Sequence, residues 1–208
     1  MYLQDMFIAG VETISTSMEW LMAELLRHPR VMKKAQEEIR RAVGEKGKVD
    51  MNDINQMDYL KNVVKEVMRL HPPLALLVPR ETTESIQLRG YDIPAKTRVI
   101  INAWAIHRHP DFWDRPEEFI PERFENNPTD LASQDFQLIP LGFGRRKCPG
   151  LTFGIFGIEY LIANLLLWFD WKLPHAAGYI ENLDMTEVYG ITVYKKVPLH
   201  VVAIPYSP

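Results

Sequence analysis

The feature that most constrains the fold lies at residues 140–169, where a glycine-rich loop runs directly into a long apolar stretch. The loop, PLGFGRRKCPG, holds the only cysteine of the chain, Cys148. Residues 151–169 are almost wholly apolar and long enough to cross a bilayer as a helix. A carboxylate near the centre of a membrane span costs about 2.5–3.5 kcal/mol on insertion scales. Glu159 therefore favours a helix buried in a protein core.

The composition excludes several classes of protein. The chain is 47% hydrophobic and carries a net charge of −3, which favours a folded chain over a disordered one. Its 24 basic and 27 acidic residues leave no basic surplus, so we expect no nucleic-acid partner. One cysteine excludes an intrachain disulfide and any zinc or iron–sulfur site that needs several cysteines.

The hydrophobic pattern predicts a mostly helical chain with a small sheet. Helical spacing covers residues 2–27, 29–41 and 59–70, and returns at 151–169. Asp50 and Asp53, before the third of these helices, have a spacing close to that of a capping box. Strands are predicted at 85–89 and 98–104, and two short ones within 192–204. Residues 107–147 read as a long loop. Because the chain begins inside a helical pattern without a cap, we expect it to be part of a larger fold.

Cys148 has two interpretations. A lone cysteine usually behaves as a small buried hydrophobe. Here Gly142, Gly144 and Gly150 let the backbone approach a flat ligand, while Arg146 and the start of the next helix favour a thiolate. This combination predicts a thiolate that holds a metal.

The loop resembles the cysteine loop of the cytochromes P450, Phe-x-x-Gly-x-Arg-x-Cys-x-Gly. Gly144, Arg146, Cys148 and Gly150 match it, whereas Leu141 stands in place of the phenylalanine. The resemblance covers essentially the whole chain and is strongest to plant microsomal members. It implies that Cys148 ligates the iron of haem b, iron protoporphyrin IX. It also implies the C-terminal part of the P450 fold, mainly α with a minor β-sheet: residues 1–208 form one incomplete domain, from the oxygen-binding helix to the C-terminus, with the N-terminal half absent.

Glu66 and Arg69 lie three residues apart on one predicted helix, a spacing that pairs charges on many solvated surfaces. The resemblance implies more for this pair. With Arg123 of the PERF segment it should form a buried triad that holds the cysteine loop, since buried charges persist only when paired.

The resemblance also assigns residues around the haem. Glu12 and Thr13 correspond to the catalytic pair that relays protons during oxygen activation, although a mid-helix threonine often donates to its own i−4 carbonyl. Arg80 and Arg146 would bind the haem propionates, although an ordinary surface ion pair is an alternative for Arg80. The implied substrate pocket contains Leu76, Leu77, Val78, Tyr189 and Ile191. The His107–His109 pair is predicted to be a structural turn.

The implied activity is a monooxygenase that inserts one oxygen atom of O₂ into a small lipophilic substrate of plant secondary metabolism. Electrons would come from NADPH–cytochrome P450 reductase. A full-length parent would sit on the cytosolic face of the endoplasmic reticulum membrane, through an anchor that this chain lacks. The alternative is a truncated, non-catalytic remnant that binds haem weakly or not at all.

Overall fold

The computed structural model describes residues 2–127, 129, 131, 136–174 and 183–207. Its helices are α1 (Tyr2–Arg27), α2 (Pro29–Val43), α3 (Met51–Asn55), α4 (Asp58–Leu70), α5 (Ala103–Ile106) and α6 (Leu151–Trp168). Short 3₁₀ helices cover Gly44–Lys46, Pro121–Phe124 and Gly144–Arg146. The strands are β1 (Arg80–Glu81), β2 (Ile86–Leu88), β3 (Tyr91–Ile93), β4 (Arg98–Val99), β5 (Phe169–Lys172), β6 (Glu187–Tyr189), β7 (Val193–Lys195) and β8 (Val202–Pro205). The prediction of a mainly helical fold is confirmed.

The main core forms where α1, α2, α4 and α6 pack together. Trp20, Ile39 and Leu166 are fully buried at its centre. On α2, Ile39 faces the core while Lys33 and Glu37 form an exposed ion pair on the opposite face. This is the amphipathic arrangement that the helical spacing predicts.

The predicted capping box is present at the start of α3. The side chain of Asp50 accepts hydrogen bonds from the backbone N–H groups of Asn52 and Asp53. The Asp53 carboxylate accepts the backbone N–H of Asp50 in return, at 3.0 Å. These bonds satisfy donors that a helix start otherwise leaves unpaired.

The strands form four antiparallel pairs: β1 with β4, β2 with β3, β5 with β8, and β6 with β7. The predicted strand at 98–104 is wrong beyond Val99. Asn102 caps α5 there by accepting the N–H of Ala105 at 3.0 Å. The local cap therefore prevails over the β-branched residues before it. The predicted strands within 192–204 correspond to β7 and the start of β8.

Helix α6 is buried on one face. Ile158, Ile162 and Leu166 pack into the main core, as expected for a core helix, but Phe153 and Leu161 remain exposed. One third of the helix is buried, and by length and composition alone, with a mean hydropathy of 1.6, it is apolar enough to cross a membrane.

Candidate functional site

The loop before α6 is closed by its own backbone. The Cys148 N–H donates to the Leu141 carbonyl at 2.9 Å, and the Lys147 N–H donates to the Gly144 carbonyl at 3.1 Å. Gly142 and Gly144 adopt φ values of +78° and +69°, the left-handed region that strains other residues. The closed loop leaves the Cys148 side chain partly exposed immediately before the helix.

Beside the Cys148 thiol lies a cavity of about 430 Å³. Four distant segments form its walls: α1, the turn after α4, the cysteine loop, and the tip of the β6–β7 hairpin. The predicted site residues that these segments bring together are Glu12, Thr13, Leu77, Val78, Arg80, Arg146, Cys148 and Ile191. The full lining is mostly apolar, and its other side chains are one carboxylate, two cations, two hydroxyls and one thiol.

Two residues of the implied substrate pocket, Leu76 and Tyr189, lie outside this lining. Leu76 is 48% exposed, because it lies within the turn that Leu77 closes by donating its N–H to the Leu74 carbonyl. Tyr189 is 68% exposed and borders a separate polar cavity beside Glu187.

On the α1 wall, the Thr13 hydroxyl donates to the Ala9 carbonyl at 2.6 Å. This is the i−4 contact of the alternative interpretation, although both residues line the cavity. Ile14, the next residue, packs against the main core instead. Thr13 is thus the hydroxyl that this segment presents to the cavity.

Arg80 lies on β1 beside the cysteine loop. Its Nη2 donates to the backbone carbonyl of Arg146 at 3.0 Å. A Cβ at Gly142 would lie about 4.0 Å from the same nitrogen. The guanidinium is therefore held against the loop backbone, next to the cavity.

Glu66, Arg69 and Arg123 contact one another. The Glu66 and Arg69 side chains are fully buried, with Arg69 Nε at 2.7 Å from Glu66 Oε2. Arg123 Nε lies 2.9 Å from Glu66 Oε1, which also accepts the Ile120 N–H at 2.8 Å. Each charge therefore has a hydrogen-bonded partner of opposite sign.

The two arginines also organise the segment that follows α5. Arg69 donates to the backbone carbonyls of His107, Pro116 and Glu118. Arg123 Nη1 donates to the Asp114 carbonyl at 2.8 Å. This irregular segment is thereby ordered by side-chain donors in place of backbone ladders.

His107 is a residue whose part in the site the sequence did not reveal. Its ring is buried, and its Nε2 accepts the backbone N–H of Ile139 at 2.9 Å, just before the cysteine loop. Burial lowers the pKa of His107 to about 3, so the ring is neutral at pH 7. No local pattern marks this pairing, because Ile139 lies far along the chain.

The β6–β7 hairpin is anchored where its turn enters β7, at Val193. Trp20 Nε1 donates to the Val193 carbonyl at 3.2 Å, and the Val193 N–H donates to the Pro73 carbonyl at 2.9 Å. His71 stacks on Trp20 with ring centroids 4.0 Å apart and lies between Glu24 and Glu187. Burial alone would raise the pKa of Glu24, but hydrogen bonds with His28 and His71 outweigh it and lower the pKa to about 2.

Comparisons with known proteins agree on one family. The Cytochrome P450 family model matches residues 1–196. The chain is 56% identical over 207 residues to phenylacetaldehyde oxime monooxygenase of Prunus mume, covering 99% of this chain and 39% of that protein. It is 57% identical over 199 residues to cytochrome P450 71A1 of Persea americana, covering 96% of this chain and 39% of the relative. It thus spans about two fifths of the length of these relatives.

Solved structures support the same assignment. A zebrafish cytochrome P450 determined with abiraterone superposes with a TM-score of 0.86 at 32% sequence identity. The match covers 98% of this chain and 46% of the zebrafish chain.

Proposed function

Because this chain belongs to the cytochrome P450 family, we propose that its cavity binds haem b and that the whole protein is a haem-thiolate monooxygenase. The observation that carries the proposal is the position of Cys148. The only thiol of the chain lies in the wall of an apolar cavity, together with two arginines and a threonine from distant segments.

The residues present fit the cofactor. A thiolate is a ligand for haem iron, and apolar walls such as Leu77, Val78 and Ile191 suit a porphyrin and a lipophilic substrate. Arg80 and Arg146 offer forked donors that match propionate carboxylates. Glycine at position 142 keeps the loop backbone free of a side chain beside Arg80.

When bound, the haem would supply activation of O₂ and transfer of one oxygen atom to the substrate. The chain's own residues would do the rest. Cys148 would hold the iron through its thiolate and donate electron density to it, and the loop would keep the sulfur in place. Thr13 Oγ1, now bonded to the Ala9 carbonyl, would rotate to pass protons into the cavity, with Glu12 nearby as an acid.

The wider assignment rests on the family and on the names of its relatives. We assign electron supply to NADPH–cytochrome P450 reductase and the substrate to small lipophilic molecules of plant secondary metabolism. The relatives of this chain include an oxime monooxygenase and a tabersonine hydroxylase. We place the whole protein at the endoplasmic reticulum membrane.

The test is a haem titration of the purified 208-residue chain, followed by the carbon monoxide difference spectrum of the reduced sample. We expect stoichiometric binding with the thiolate-type band, and loss of that band in Cys148→Ser, because a neutral hydroxyl cannot replace the thiolate. Lys147→Ala, an exposed neighbour, is the matched control and should keep the band. A thiolate-type spectrum in Cys148→Ser would refute the ligand assignment. No specific haem binding by the parent chain would instead support the remnant.

A further inference from the structure

His107 makes hydrogen bonds to both the Glu66–Arg69–Arg123 triad and the residue before the cysteine loop. Its backbone carbonyl accepts a hydrogen bond from Arg69 Nη1 at 2.8 Å. Its ring Nε2 accepts the backbone N–H of Ile139 at 2.9 Å. We propose that His107 is the positioning residue that couples the Glu66–Arg69–Arg123 triad to the cysteine loop. The proposal rests on the proposed function of Cys148 as the haem ligand.

Ile139 immediately precedes the cysteine loop. Its carbonyl accepts the Gly142 N–H at 3.0 Å, and the carbonyl of Leu141, two residues further on, accepts the Cys148 N–H at 2.9 Å. The Ile139 side chain is buried in a small cluster with Leu77 and Ala103. A shift of the Ile139 backbone would therefore move the turn from Ile139 to Gly142, which includes the Leu141 carbonyl that accepts the Cys148 N–H.

The chemistry at this position calls for an acceptor. The Ile139 N–H is buried, and a buried backbone donor needs a partner. Because Nε2 accepts, the neutral ring must carry its proton on Nδ1. That Nδ1 is buried and has no hydrogen-bond partner among the described residues. An unpaired buried donor is unfavourable. The ring therefore leaves its own Nδ1–H unpaired while its Nε2 accepts the Ile139 N–H.

A purely structural role would require only a buried ring of this size. Two substitutions separate the roles. His107→Phe keeps a planar aromatic ring, somewhat larger than imidazole, but removes the acceptor, whereas His107→Gln places an amide oxygen about where Nε2 lies. Ile39→Ala, in the buried face of α2 far from the loop, is the control for a general loss of stability.

The first measurement is amide hydrogen exchange in the haem-free chain, expressed as the rate at Ile139 divided by the rate at Val63 of α4. Loss of a buried hydrogen bond should raise this ratio about 5- to 150-fold in His107→Phe. His107→Gln should stay close to the parent. In Ile39→Ala both rates should rise together and leave the ratio unchanged. An unchanged ratio in His107→Phe would overturn the proposal.

The second measurement uses Cys148 as a unique probe, since a thiol reagent has one cysteine to modify. We expect faster modification in His107→Phe than in Ile39→Ala, and a parent-like rate in His107→Gln. Should His107→Phe fail to fold, nitrogen NMR of the parent ring still decides the matter. A bare Nε2 supports the proposal, and a protonated Nε2 refutes it.

With haem supplied, the thiolate-type fraction of the carbon monoxide spectrum should fall in His107→Phe, recover in His107→Gln and persist in Ile39→Ala. If no variant binds haem, the proposed function fails, but exchange and thiol reactivity still decide whether His107 positions the loop. Equal thiolate-type fractions in His107→Phe and the parent would show that the loop does not depend on this contact.

Discussion

Arg69→Ala removes the donor of five hydrogen bonds from the centre of the fold. Two of them go to Glu66 and three to backbone carbonyls. Breaking a buried ion pair from one side costs about 3–5 kcal/mol, because the other charge loses its partner. Glu66 keeps its contact with Arg123, so we expect this pair to cost about 3 kcal/mol, the lower end of that range. The carbonyls add to this loss, though bonds within one network are not additive. Since a domain is stable by only about 5–15 kcal/mol, we expect Arg69→Ala to lose a large part of its folding free energy.

The assay is urea unfolding followed by far-ultraviolet circular dichroism, with the midpoint and slope fitted for each variant. Lys33→Ala is the control, because Lys33 belongs to an exposed ion pair with Glu37 and should lose only about 0.3–0.5 kcal/mol. Arg69→Lys keeps the charge but not the planar fork, so it should fall between the two. Combining Glu66→Gln with Arg69→Met should cost less than the sum of the single changes. An Arg69→Ala variant as stable as Lys33→Ala would refute the argument.

Four further outcomes are expected. As pH falls from 4.5 to 2, the parent should lose stability, because the Glu24 carboxyl takes up a proton in the unfolded chain but keeps a pKa of about 2 in the folded one. The urea midpoint of Glu24→Gln should depend less on pH in this range. Between pH 6.5 and 4.5 the buried neutral His107, with a pKa of about 3, should make the parent less stable as pH falls, and His107→Gln should remove that slope. Thr13→Ala in a full-length parent should retain haem while diverting electrons to peroxide, measured as peroxide formed per NADPH; unchanged coupling would leave Thr13 with only its Ala9 bond. Phe7 and Val11 are 72% and 61% exposed on α1, and exposed apolar side chains of this kind favour self-association. Phe7→Lys combined with Val11→Lys should therefore reduce self-association in sedimentation velocity. An unchanged sedimentation distribution would exclude this face as the contact between copies.

The helices could be predicted because their signals are local. The apolar stripe of α4, the capping box at Asp50 and the apolar run of α6 each lie within one segment of the chain. The strands were harder, because β1 pairs with β4 and β5 with β8 across long separations. No local pattern encodes such partners, and β1 and β4 are only two residues long.

The site divides in the same way. The cysteine loop and the Glu66–Arg69 spacing are short motifs and were visible in the sequence. The contact between His107 and Ile139 depends on how an irregular segment folds over α4, so the His107–His109 pair read as no more than a turn. Leu76 and Leu77 are neighbours in sequence, yet only Leu77 lines the cavity, because a single left-handed residue, Leu77 at φ 51°, reverses the direction of the chain.

The β6–β7 hairpin shows how this fold can change its preference for a ligand without risking its stability. Val193, the first residue of β7, is bonded to Trp20 and Pro73 within the core. Two residues earlier, the turn of the hairpin carries Ile191, which is 84% exposed and forms part of the cavity wall. A substitution at Ile191 therefore reshapes the cavity while removing almost no buried surface, unlike a change at Trp20. We therefore expect Ile191 to tolerate substitutions that change what the cavity accepts.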